Sequence, residues 1–147
     1  MRAREYTNFQ NGALLIARVI VAAIFFYAAY GKLFVWSGVP EGMMPAWLVP
    51  VTKLLFIVEP LGALAVLVGF LTRWAAVGLS IIMVGAIFVS QFVMGIGFAP
   101  YDSPGWNIAL AVLGACLVLL AFGAGQWSID SVLSKHKTKK PKRVEQT

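Results

Sequence analysis

Few side chains in this sequence can do acid–base chemistry away from water, and Glu59 is the most exposed to that question. It sits near the middle of the apolar run Phe56–Arg73, FIVEPLGALAVLVGFLTR. Centring a carboxylate in hydrocarbon costs on the order of 3 kcal/mol on insertion scales. Pro60 follows at once, so the backbone carbonyl of Phe56 loses its helical donor. A carboxyl and a freed carbonyl at one depth are tolerated only where they face protein or a wet cavity. The cations that could answer Glu59 are Arg18 and Lys32 in the preceding apolar run, Lys53 six residues earlier, and Arg73 at the end of its own run. A carboxyl in apolar surroundings beside a donor suits proton exchange with a ligand such as a quinol. It suits equally a structural ion pair that fixes helix packing.

Other chemistry is excluded by composition. The single cysteine, Cys116, lies inside an apolar run, so no intrachain disulfide and no CxxC pair exists. The single histidine, His136, lies in a basic tail. Haem held by two histidines within the membrane and a zinc site of Cys and His are both ruled out, and no metal ligand set is expected. No cofactor motif is evident. If redox chemistry occurs, an organic ligand such as a quinone or a partner protein must carry the electrons.

The elements that position these residues follow from hydropathy. The 147 residues are 60% hydrophobic and only 12% charged, against about a quarter charged in soluble domains. The chain reads as one integral membrane domain. Its class is all-α, a four-helix transmembrane bundle. Residues 1–12 form a short N-terminal segment, 13–130 the membrane domain and 131–147 a basic tail. The first run, Ala13–Phe34, is longer than a signal-peptide core and carries Arg18, so it is expected to be retained. Arg18, Ala22, Phe25, Ala29 and Lys32 share one face. Both cations could snorkel to the interfaces. By rise per residue Arg18 lies nearer to Glu59 in depth than Lys32 does. The expected arrangement is therefore an inward carboxyl that is not a fully satisfied ion pair.

The second helix starts at Trp47 and runs to about Phe70, with Thr52, Glu59, Gly62, Ala63 and Val66 on one face. Small residues there let a neighbouring helix approach. The third, Ala75–Met94, places Ala75, Gly78, Ile82 and Gly85 on one side. The fourth, Trp106–Phe122, carries Ala111 and Ala115 as a small-xxx-small pair. The two outer loops share the order Pro40, Pro45, Trp47 and Pro100, Pro104, Trp106, which suggests two related helical hairpins. Arg2, Arg4, Arg73 and six basic residues between Lys135 and Arg143 fall on one side. The loops on the other side contain Glu41 and Asp102 and no Lys or Arg. The positive-inside rule then puts both termini in the cytoplasm of a cell that holds the protein in its inner membrane. The net charge of +6 points to anionic lipid and not to nucleic acid.

Gly31-Lys32-Leu33, Glu59 with Leu61-Gly62, Gly69-Phe70-Leu71-Thr72-Arg73 and Gly123-Ala124-Gly125-Gln126-Trp127-Ser128-Ile129-Asp130 occur in that order. Over Leu14–Asp130 the pattern resembles the DoxX/DoxD family of small four-helix membrane proteins. Pro60 and the single glycine at Gly62 depart from the commoner family pattern. The resemblance implies a part in membrane-associated oxidoreductase systems, some linked to quinones, thiosulfate oxidation or oxidative stress. On that basis Lys32, Glu59, Gly62 and Arg73 are expected to line a ligand site between the first two helices, with Glu59 as the candidate proton-handling group. The alternative is a non-enzymatic lipid-binding or anchoring module that holds a soluble oxidoreductase through Arg73, Asp130 and the tail. A small transporter is a third reading, which with four helices per chain would require a homo-oligomer.

Overall fold

The computed structural model describes residues 7–101 and 105–138, with side chains through Leu133. Arg2, Arg4, Asp102, Pro104 and the tail from Lys139 onward lie outside these residues, as do the side chains of Lys135 and Lys137. The described residues are helical and contain no strand. The helices are α1 (Asn8–Gly31), α2 (Phe34–Ser37), α3 (Leu48–Val68), α4 (Thr72–Phe88), α5 (Trp106–Phe122) and α6 (Ile129–Thr138). A π-helical turn, Val89–Val93, extends α4. Three stretches, Asn8–Ser37, Leu48–Val68 and Thr72–Val93, are long and apolar enough to cross a membrane; α5 is apolar but shorter, at 17 residues.

α1 starts five residues earlier than hydropathy alone suggests. Thr7 and Gln10 form a capping box: the Thr7 hydroxyl accepts from the Gln10 amide N–H, and the Gln10 side chain accepts from the Thr7 N–H. Two otherwise orphaned donors are thereby satisfied, and the polar stretch before Ala13 becomes helical. At the other end the chain breaks after Gly31 and resumes as the single turn α2, inside the segment expected to be loop. α3 continues through Pro60 and ends in a Schellman motif. There the Phe70 N–H reaches the Ala65 carbonyl at 2.9 Å and the Gly69 N–H the Val66 carbonyl at 3.2 Å. Gly69 takes the left-handed conformation this closure needs, at φ +74°. Leu71 is also left-handed, at φ +47°, so α4 doubles back directly from α3.

α1 packs along α3 and α4 along α5, and α3 against α4 and α1 against α5 close the ring. The centre is filled by Val21, Ala22, Phe25, Ala63, Val66, Ala76, Leu79, Val112, Cys116 and Leu119. The outward faces are apolar as well: Ile16, Leu54, Leu61, Ile81 and Leu117 are all about half exposed or more. A helix that is apolar all round belongs in lipid.

The inward faces expected for the first two long helices are the buried ones. Arg18, Ala22, Phe25 and Ala29 are buried on α1, and Thr52, Glu59, Ala63 and Val66 on α3. The later two match the small-residue sides singled out above only in part: Ala75, Ile82 and Ala115 pack against the core, whereas Gly78, Gly85 and Ala111 do not. α4 turns Thr72, Ala76, Leu79 and Ser80 inward, and a Cβ at Gly78 or Gly85 would meet nothing. α5 turns Val112, Cys116 and Leu119 inward, which leaves Ala111 exposed. The close approach is made at Gly62 instead. A Cβ there would lie 2.9 Å from Leu79 Cδ2 and 3.3 Å from its Cγ. Gly62→Leu should therefore cost about 1–3 kcal/mol by overpacking. Leu64→Ala, at a half-exposed position, should cost well under that. Thermal unfolding of the two variants in detergent checks this. Equal stability of Gly62→Leu and the parent would contradict the packing.

Candidate functional site

Lys32 and Glu59 meet where α1 gives way to α2. Lys32 Nζ lies 2.6 Å from Glu59 Oε2 and 3.3 Å from the Ala28 carbonyl oxygen, to which it donates. Glu59 is only 2% exposed, Lys32 22%. The expectation that Glu59 would lack a full ion-pair partner is corrected here, and the reason lies in side-chain direction. At the opposite end of the α1–α3 pair, a Cβ on Gly69 would sit 2.5 Å from Arg18 Nη1, so the Arg18 side chain reaches the end of α3 and not the level of Glu59. Side chains tilt toward the N-terminus of their own helix. In an antiparallel pair Lys32 leans down and Glu59 leans up, and the two long side chains meet. Arg18, placed nearer by counting Cα positions, leans away from Glu59, toward the crossover.

Toward the outer loops the same α1–α3 seam is aromatic. Trp36 and Phe56 pack edge to face with centroids 6.0 Å apart, and Lys53 Nζ lies 5.4 Å from the Trp36 ring centre. Phe56 precedes Glu59 by about one turn of α3, and Trp36 follows Lys32 by four residues. The ammonium of Lys32 has three donors and spends two within the chain. A polar group arriving along the seam would find an N–H, a carboxylate and an aromatic wall together.

The other residues proposed for the ligand site are elsewhere. Gly62 is occupied by its contact with Leu79. Arg73 lies past the α3–α4 turn, where its Nη2 donates to the Ala121 carbonyl at 3.3 Å at the end of α5. The structure brings Lys32 and Glu59 together and does not bring Arg73 to them.

The end of the bundle holding Gly69 carries a second polar arrangement, assembled from the Gly123–Asp130 segment. The Asp130 carboxylate accepts from the Leu71 N–H at 2.8 Å and the Thr72 N–H at 3.1 Å. Its own N–H donates to the Gly69 carbonyl at 2.9 Å. Asp130 thus caps α4, whose first N–H groups have no partner within the helix. Arg18, 1% exposed, donates through Nη2 to the Trp127 carbonyl at 2.7 Å. It does not snorkel; it is clamped between α3 and the crossover. Asn11 accepts from the Gln126 N–H at 2.8 Å. Asp130, expected at a partner surface, has both oxygens engaged inside the chain. The sequence signal for this clasp was an Asp following a glycine-broken turn, and the partner it caps is 58 residues away.

Comparison with known proteins agrees with this architecture. The DoxX family profile matches residues 13–91. The inner membrane protein YqjF of Escherichia coli (strain K12) is 30% identical over 132 residues, which cover 86% of this chain and 95% of that protein. No solved structure matches the chain. The match spans both halves of the helix ring, the Lys32–Glu59 pair included, and the outward faces are those of a multi-pass inner-membrane protein. On the family match and the length of the shared chain, this protein belongs to the DoxX family.

Proposed function

We propose that this protein is the membrane subunit of a redox system and holds a quinone-like ligand in the α1–α3 seam. The observation that carries the reading is the buried Glu59 paired with the part-exposed Lys32, with the Trp36–Phe56 ring pair a few residues along the same chain segments. Lys32 would donate its third N–H to a ligand carbonyl, and Glu59 would take up the proton of a ligand hydroxyl. The rings would flank an apolar head group and keep water from the pair. A bound quinone would supply the two-electron chemistry that this chain's own residues lack.

Mass spectrometry of gently purified protein should find a copurifying quinone, and Glu59→Gln should lose it. The same variant keeps the size of the side chain but cannot exchange a proton, and should fail to complement a deletion. Full complementation by Glu59→Gln with no quinone in any preparation would sink the proposal. The alternative, an anchor for a soluble oxidoreductase, is favoured by the exposed position of Arg73 beside the clasp. It predicts a copurifying soluble enzyme and no small molecule.

The reading includes four membrane crossings with both termini in the cytoplasm. α5 spans about 26 Å at 1.5 Å per residue, close to the ~30 Å hydrocarbon core. Trp106 and Trp127 stand at or just beyond its two ends, as interfacial anchors do. In a Cys116→Ala background, Ser37→Cys should react with an impermeant thiol reagent added from outside, and Ser134→Cys should not. The reverse pattern would invert the topology.

A further inference from the structure

α6 is fastened at one end and otherwise unaccompanied. Its first turn is bonded to the α3–α4 turn through Asp130, and Trp127, two residues before α6, is held by Arg18. Among the described residues, α6 makes no extensive contact with any of the long helices. Ile129, Val132 and Leu133 fall at i, i+3 and i+4 and form one apolar face, 44%, 55% and 48% exposed. Trp127, just before it, and Leu71 and Trp74, in the segment to which Asp130 is bonded, are also more than half exposed. The helix has 10 residues, about 15 Å, and cannot cross a bilayer.

The sequence supplies the other half of the pattern. From Lys135 to Arg143 there are six Lys or Arg residues and no acid. A short helix with an apolar stripe, fixed beside the mouth of a membrane bundle and running into a basic segment, has the composition of an element that lies in the lipid–water boundary. Like the tryptophans beside it, the apolar stripe belongs at head-group depth, and the basic composition of the sequence that follows suits lipid phosphates.

We infer that α6 is a lipid-binding element that lies flat in the leaflet on the side of the two termini and engages anionic phospholipid head groups. Charge complementarity commits it to anionic lipid: a soluble protein partner would cover Val132 only when that partner is present. The inference does not depend on the ligand proposed for the α1–α3 seam.

The test uses the full chain in a Cys116→Ala background, with an environment-sensitive fluorophore on Val132→Cys. The protein is reconstituted into nanodiscs of phosphatidylcholine, or of phosphatidylcholine with about a third phosphatidylglycerol, each with a lipid-borne quencher at head-group depth. Quenching should be at least about twofold stronger with phosphatidylglycerol. It should fall back when Lys135, Lys137, Lys139 and Lys140 are replaced by glutamine, or in high salt. Leu64→Cys, on the outward face of α3, should be quenched in both lipids and report an intact bundle. Equal quenching at Val132 in the two lipids would overturn the anionic selectivity. A Val132 probe quenched only by aqueous iodide, or shielded only on adding cytosolic protein, would overturn lipid binding altogether.

Discussion

Glu59→Leu should lower stability by about 3 kcal/mol, and Lys32→Met made in the same chain should restore most of the loss. Removing one member of a buried ion pair leaves the other charge desolvated without compensation, a change that typically costs about 3–5 kcal/mol. The lower end applies here because Lys32 keeps 22% of its surface exposed and still donates to Ala28. With both groups apolar, no charge is stranded, and such replacements are often neutral or stabilising. Denaturant titration in mixed micelles would measure all three variants. A double variant no more stable than Glu59→Leu would mean the pair contributes through packing and not through charge. The double variant also separates structure from function: if the seam carries proton exchange, a chain with native stability and neither charge should be inactive.

Gly69→Ala should be among the most damaging single substitutions in the chain, at about 3 kcal/mol or more. A Cβ at this position would lie 2.5 Å from Arg18 Nη1, 2.5 Å from Ser128 Cβ and 3.1 Å from Ser128 Cα. The last is backbone and cannot swing aside. To make room, the crossover must retreat from the end of α3, which breaks the Asp130–Gly69 hydrogen bond and strains the bond from Arg18 to Trp127. The left-handed backbone adds roughly 1 kcal/mol for a residue with a Cβ. Gly95→Ala isolates that last contribution, since Gly95 is also left-handed, at φ +66°, and a Cβ there meets nothing within 4 Å. Melting temperatures of the two variants should differ widely. Similar values would mean the crossover yields easily and the clasp is loose.

The helices and their inward faces on α1 and α3 were legible in sequence because lipid-facing and core-facing positions differ in kind there. Arg18, Ala22 and Ala29, like Glu59 and Ala63, carry charge or small size at helical spacing. On α4 and α5 both faces are apolar, so nothing in the pattern separates Ala111 from Val112. The Lys32–Glu59 contact was missed because depth was counted between Cα atoms, whereas two long side chains tilted toward each other settle the distance. Thr7 with Gln10 was a readable capping signal, and it would have placed the start of α1 and the level of Arg18. The clasp joins residues 11 and 18 to 125–130 and 69–72, and no local pattern announces a pairing that distant in sequence.

The clasp also sets an order of assembly. α1 with α3, and α4 with α5, can pair as each hairpin leaves the ribosome, since these two pairs share the most extensive contacts. Asp130 and Trp127 are synthesised after all four long helices. Until they arrive, the guanidinium of Arg18 has no carbonyl from the crossover, and the Leu71 and Thr72 N–H groups lack their carboxylate. A nascent or truncated chain ending at Phe122 would therefore hold all four long helices and still expose an unanswered cation at the membrane boundary.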